Sequence, residues 1–242
     1  MLNPHLWRVV LVILGLMLGG PFTDGAVSGE PSSFPIPLPP NAPPTYSADA
    51  TEGWAVDVET QQPVEGVIVV AYWELKALWE GYPVGLMMVM EAVTDAKGRF
   101  SFPSWGPKPR LPVTGQLRSM EPELVAFKSG YARQYEPPEI PKKEHPQQIL
   151  KFKKVPEDSK EYINGVSFIE SQLRFAFFYN DCSWKKIPRM LITLDQEKTR
   201  LLRAVDKKYE TVEHVGITHW NQSNNAVQKC GSMMDFLRSY LP

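Results

Sequence analysis

Apolar and polar positions change rhythm three times along the chain, and each change predicts a different kind of element. Residues 9–20 read VVLVILGLMLGG, an unbroken apolar run behind Arg8. A run of about 12 residues has the length of a secretory signal core and falls short of the ~20 that a bilayer span needs. Gly19, Gly20 and Pro21 end it, so residues 1–25 are expected to be a signal peptide. An uncleaved anchor over 9–20 is the alternative. Residues 31–44 then hold seven prolines in fourteen positions. Proline fixes φ and lacks a backbone donor, which predicts an extended spacer over 26–49.

From residue 50 the period is that of strands. Trp54, Val56 and Val58 alternate with Ala55, Asp57 and Glu59. Residues 67–73 form a continuous β-rich run, and Trp54 and Trp73 are expected in the core. Residues 84–93 form another apolar run with Met87, Met88 and Met90. Adjacent strand positions face opposite ways, so Met88 and Met90 should share a face that Met87 does not. Core packing is the expectation for them, and a thioether copper site the alternative. Asp95-Ala96-Lys97-Gly98 reads as a turn that delivers Phe100 and Phe102 inward. Further strands are expected at 124–127, ended by Ser129-Gly130, and at 149–155. Short strands with turns at this spacing predict a β-sandwich of about seven antiparallel strands over 50–155.

The period becomes helical at 156. Asp158 with Glu161 reads as a capping box. Ile163, Val166, Ile169, Leu173 and Phe177 then recur every three or four residues. Pro188 suits the first turn of a second helix carrying Leu191, Leu194, Leu201 and Val205. Val227, Cys230, Met234, Leu237 and Leu241 mark a third. Residues 156–242 are therefore expected to be an α-helical C-terminal segment.

Two stretches carry a resemblance. One is Gly53-Trp54-Ala55-Val56-Asp57-Val58-Glu59-Thr60-Gln61-Gln62-Pro63-Val64-Glu65-Gly66-Val67, and the other Thr94-Asp95-Ala96-Lys97-Gly98-Arg99-Phe100-Ser101-Phe102. Together they resemble the carboxypeptidase regulatory-like, transthyretin-like β-sandwich family. Lys128-Ser129-Gly130-Tyr131 is similar to that family's terminal Gly-Tyr signature. The resemblance covers about 50–155 and implies an accessory or binding module. The helical part resembles extensions of this domain in exported bacterial proteins.

Composition then narrows the function. Lys and Arg number 26 against 27 Asp and Glu, a net charge of −1. That balance gives no footprint for a nucleic-acid backbone or an anionic membrane surface. The two cysteines, Cys182 and Cys230, are expected to form a disulfide in an oxidising compartment. It would close 48 residues and stabilise by roughly 4 kcal/mol in the chain-entropy model. His214 and His219 are five apart, unlike the i, i+4 zinc pair, and are weak metal candidates. No His is followed three residues later by Glu, and no Gly-x-Ser-x-Gly or phosphate-cradling Gly-Lys-Ser/Thr loop occurs. Asp57 and Asp95 are better explained by turn capping than by acid–base work. Trp79, Tyr82 and Trp105 fall in or near loops and are the candidate binding aromatics. The expectation is an exported, non-catalytic binding or scaffolding module of the bacterial cell envelope, periplasmic or extracellular, with no cofactor. Its partner would be an envelope protein or glycan, not a nucleic acid, and it would touch membrane only through the anchor. The rivals are a metal-dependent enzyme or metal-handling protein near His214 and His219, and a carbohydrate-binding module.

Overall fold

Strand β3 (Ile68–Ala77) is the unbroken apolar run of the sequence, and both of its faces are buried in the computed structural model. Val69, Ala71, Trp73 and Leu75 enter one hydrophobic cluster, and Ile68, Val70 and Tyr72 enter another. A strand covered on both sides needs no polar phase, which is why its pattern does not alternate. The structure describes residues 45–77, 81–109, 115–117, 119–134, 148–174, 182–204 and 228–240.

On one side of β3 runs β4 (Pro83–Val93); on the other run β7 (Gly115–Leu117) and β8 (Glu123–Phe127), all antiparallel to it. A second sheet has the order β5 (Arg99–Phe102), β2 (Thr51–Asp57), β10 (Gln148–Lys154), β9 (Tyr131–Gln134). The sheets pack face to face, with Ala55, Phe100, Phe102, Leu150 and Phe152 against the first face of β3. Its other face carries the helices: α1 (Lys160–Gln172), α2 (Pro188–Ala204) and the short α3 (Met233–Arg238). The architecture is a β-sandwich with a helical layer on one sheet, and the helical part shares its core with the sandwich.

Several sequence expectations change here. The second sheet is mixed, because β10 runs parallel to β2 while pairing antiparallel with β9. Residues 45–48, placed in the spacer, form strand β1 (Thr45–Ala48), paired with β6 (Trp105–Pro109). The inward phase of β2 is Gly53, Ala55 and Asp57, not Trp54 and Val56. Two local facts decide that phase. A Cβ on Gly53 would lie 2.4 Å from the Phe100 ring, so the missing side chain makes room for Phe100. The buried Asp57 carboxylate accepts from the backbone N–H groups of Glu59 and Thr60, both at 2.9 Å. Trp54 is half-buried on the outer face, with the Arg99 guanidinium 5.8 Å from its ring. A register shift opposite Trp73 and Glu74 makes Met87 a bulge residue, so Met87, Met88 and Met90 all pack on the inter-sheet cluster.

The turns follow the sequence closely. Asp95 Oδ1 accepts from Lys97 N and Arg99 N, and Gly98 takes φ 71°. These hydrogen bonds hold the Asp95 carboxyl below its usual range; those to Asp57, from Thr60 first, do the same against the effect of burial. The helices start where caps occur. Ser159, not Asp158, caps α1, its Oγ accepting from Tyr162 N at 3.2 Å. Pro188 opens α2 as expected. The cap of α2 comes from another element: Glu91 of β4 accepts from Arg189 N at 3.2 Å and Met190 N at 2.8 Å. Burial raises the Glu91 carboxyl pKa against those two hydrogen bonds. Gly231 and Ser232 interrupt the third apolar series, and α3 faces the core with Met233 and Leu237. No helix among the described residues is long and apolar enough to cross a membrane.

Candidate functional site

One surface feature lies where α1 packs on β8 and β9. It is a groove of about 440 Å³ between α1 and strand β9, with the end of β8 at its base. Periodicity explains the walls. α1 buries Tyr162, Ile163, Val166 and Ile169, so Glu161, Asn164, Gly165 and Phe168 fall on the flank beside the groove. Phe168 is 44% exposed. From the sheet come the buried Ala132 and Phe127, and the half-buried Gln134. Gln134 Nε2 donates to Glu161 Oε1 at 3.5 Å across the groove, and Arg133 Nη1 donates to Leu124 O at 2.6 Å.

A polar network centred on the buried Tyr162 and Glu197 holds α1 against the sandwich. Tyr162 Oη accepts from Gly130 N at 3.2 Å and donates to Glu197 Oε1 at 2.8 Å. Ser129 Oγ donates to Glu197 Oε2 at 2.8 Å, and Arg200 Nε donates to Glu197 Oε1 at 3.1 Å. Arg200 Nη2 also pairs with Glu197, and Arg200 Nη1 lies 2.8 Å from Glu157 Oε2. The Ser129-Gly130 turn, with Gly130 at φ 78°, is thus one point at which sheet and helices are joined, the Glu91 cap of α2 being another. Burial alone would raise the Glu197 carboxyl, but the hydrogen bonds from Arg200, Tyr162 and Ser129 outweigh it and hold the pKa below the usual range. Burial, then the Glu197 charge, pushes the Tyr162 phenol up to about 12. Further along the same two helices, burial pushes Glu170 up to about 7, with Lys198 pulling the other way and Asp195 adding to the rise. Burial lowers Lys198 in turn. A second depression, of about 510 Å³, lies along α2 and is lined by the polar and charged residues Asp195, Gln196, Thr199, Arg200 and Arg203.

The residues singled out in the sequence fare differently. Cys182 and Cys230 form the expected disulfide, with Cα atoms 5.4 Å apart. It ties the short 3-10 helix Ser183–Lys186 to the chain before α3, where Trp184 meets Phe236 edge-on at 5.3 Å. Tyr82 is 55% exposed at the β3–β4 hairpin. Trp105 is a correction: it lies in β6, only 6% exposed, edge-on to Trp73 at 5.4 Å. It is core rather than a loop aromatic, because β6 pairs with β1 and turns the indole inward. Trp79, His214 and His219 lie outside the described residues. The disulfide is the one expected pairing the described residues bring together. The groove's walls come from separate segments of the chain. Its one local signal is Gly165, a glycine inside the helical series Ile163–Val166–Ile169.

Comparison with known proteins gives no match to a family model, a curated protein or a solved structure.

Proposed function

We propose that this protein is a non-catalytic binding or scaffolding module of the bacterial cell envelope, exported to the periplasm or the cell exterior. The observation that carries this reading is the groove between α1 and β9, an open cleft with an apolar base and amide and carboxylate side chains on its rims. The disulfide supports export, since oxidising compartments preserve such bonds. The apolar run at 9–20 supports it too. Within this reading the sandwich is a transthyretin-like, carboxypeptidase regulatory-like domain. The capped turn after β2, the Asp95–Gly98 turn that delivers Phe100 and Phe102, and the Ser129-Gly130 turn favour that assignment. The mixed sheet and the helical layer depart from a plain antiparallel sandwich.

Affinity capture from envelope extract tests the reading. The baits are the full chain and its Gly165→Trp variant, which fills the groove at a position with open space around it. A partner held by the parent chain and lost by the variant is the expected result. Equal recovery by both baits, or none by either, overturns it.

A further inference from the structure

We infer that the groove takes a short extended peptide in which an apolar side chain neighbours a basic one. This deepens the binding-module reading and rests on it.

The dimensions come from the walls. Tyr131 to Gln134 is four strand residues, about 13 Å at ~3.3 Å each. Glu161 to Ile169 on the helix rises about 12 Å at 1.5 Å per residue. Each wall is thus about as long as four residues of extended chain.

The chemistry comes from what the walls offer. Ala132, Val166 and Ile169 make an apolar base for one anchoring side chain. Asn164 on the helix and Gln134 on the strand both line the groove, one on each wall. Each side-chain amide carries a donor and an acceptor, as a peptide group does, so a main chain between them finds partners on both sides. The charges are unequal in their commitments. Arg133 is engaged with Leu124 O at 2.6 Å, whereas Glu161, among the described residues, receives only the 3.5 Å contact from Gln134. A basic residue in the occupant complements that carboxylate. A lipid tail would instead desolvate both amides and Glu161 without hydrogen bonds.

Gly165 supplies the independent observation. A glycine inside a helix costs about 1 kcal/mol relative to alanine. Here, beyond its chain neighbours and the helix's own backbone, no atom of the described residues lies within 4 Å of the Cβ that alanine would add, so packing against other elements does not require the glycine. A bare backbone at that point of the wall lets an occupant approach closely.

The test is selection from a random dodecamer phage library on the full chain, with counter-selection on Gly165→Trp. Enriched peptides are then synthesised, and their affinities measured by fluorescence anisotropy for the parent chain, Gly165→Trp and Glu161→Lys. Circular dichroism establishes that each variant is folded, with Gly165→Leu replacing Gly165→Trp if that one is not. Expected are sequences pairing an apolar residue with Lys or Arg, at least ~10-fold weaker on the filled groove. Glu161→Lys should weaken them by about 2- to 5-fold, and less at high salt. No enrichment over the counter-selected variant, acidic consensus sequences, or unchanged affinity in Glu161→Lys overturns the inference. If envelope capture depends on the groove while the peptide selection fails, the occupant's chemistry is wrong and the binding-module reading stands. If both fail, that reading falls with it.

Discussion

Removing a buried tyrosine hydroxyl should have opposite consequences at two positions of this fold. Tyr162 and Tyr46 are 1% and 6% exposed, so both rings are core. The Tyr162 hydroxyl donates to the Glu197 carboxylate at 2.8 Å and accepts from Gly130 N at 3.2 Å. The Tyr46 hydroxyl is buried with no hydrogen-bond partner among the described residues. A hydrogen bond to a charged group contributes about 1.5–3 kcal/mol and a neutral one about 0.5–1.5, while a buried donor left bare adds a penalty. Tyr162→Phe removes both bonds and strands the Gly130 N–H, so it should cost about 2–4 kcal/mol. Tyr46→Phe removes only a hydroxyl that was desolvated without compensation, so stability should hold or rise by about 1 kcal/mol. Urea unfolding followed by tryptophan fluorescence separates the two, since midpoints compare directly where the slopes agree. Equal losses at both positions, or a greater loss at Tyr46, would refute the Tyr162–Glu197 pair as the join between sandwich and helices.

Other consequences are as direct. Glu170, pushed up to about 7, stabilises fully below its unfolded pKa near 4.5, and that contribution is lost as pH rises through the folded value. Melting temperature should therefore fall between about pH 5 and pH 8, and Glu170→Gln should flatten the decline; an unchanged slope in the variant would remove Glu170 as its source. At Gly53 an added Cβ would sit 2.2 Å from Gln148 O, so Gly53→Ala should destabilise by more than about 2 kcal/mol. Gly165→Ala should instead stabilise by up to about 1 kcal/mol, and denaturation curves that rank the two alike would contradict the packing described. The Cys182→Ser, Cys230→Ser double variant should lose roughly 4 kcal/mol, and a loss below about 1 kcal/mol would mean the cross-link restrains little of the unfolded chain.

What could be read in the sequence was what local chemistry decides. The Asp95–Gly98 turn, the paired Phe100 and Phe102, the opening of α2 at Pro188 and the disulfide all rest on residues within a few positions, or on the two cysteines alone. Three features depend on distant partners and were hidden. The phase of β2 is inverted because Phe100 fills the space above Gly53, forty-seven residues away in sequence. The cap of α2 is Glu91, on a strand nearly one hundred residues earlier. Trp105 looked like a loop residue because its neighbours are Gly106 and Pro107; its pairing with Ala48 places it in a strand. The groove was hidden for the same reason, since its two walls come from separate segments and only Gly165 marks it locally.

The unbroken apolar run of β3 carries a consequence for the site. Because Ile68, Val70 and Tyr72 face the helices, the sandwich alone would expose that side of the sheet to water, so the helical layer is part of the folded unit. Ile163, Val166, Ile169 and Leu173 supply the apolar burial that holds α1 down. Such contacts are non-directional and tolerate a slide along the sheet. The Ser129, Tyr162, Glu197 and Arg200 hydrogen bonds do not, since each requires a particular donor at a particular distance. Burial thus keeps α1 on the sheet while the polar network sets its position, and the position of α1 sets the separation of Asn164 from Gln134 across the groove. A change at Ser129 or Tyr162, neither of which lines the groove, should therefore alter any binding there by moving the wall.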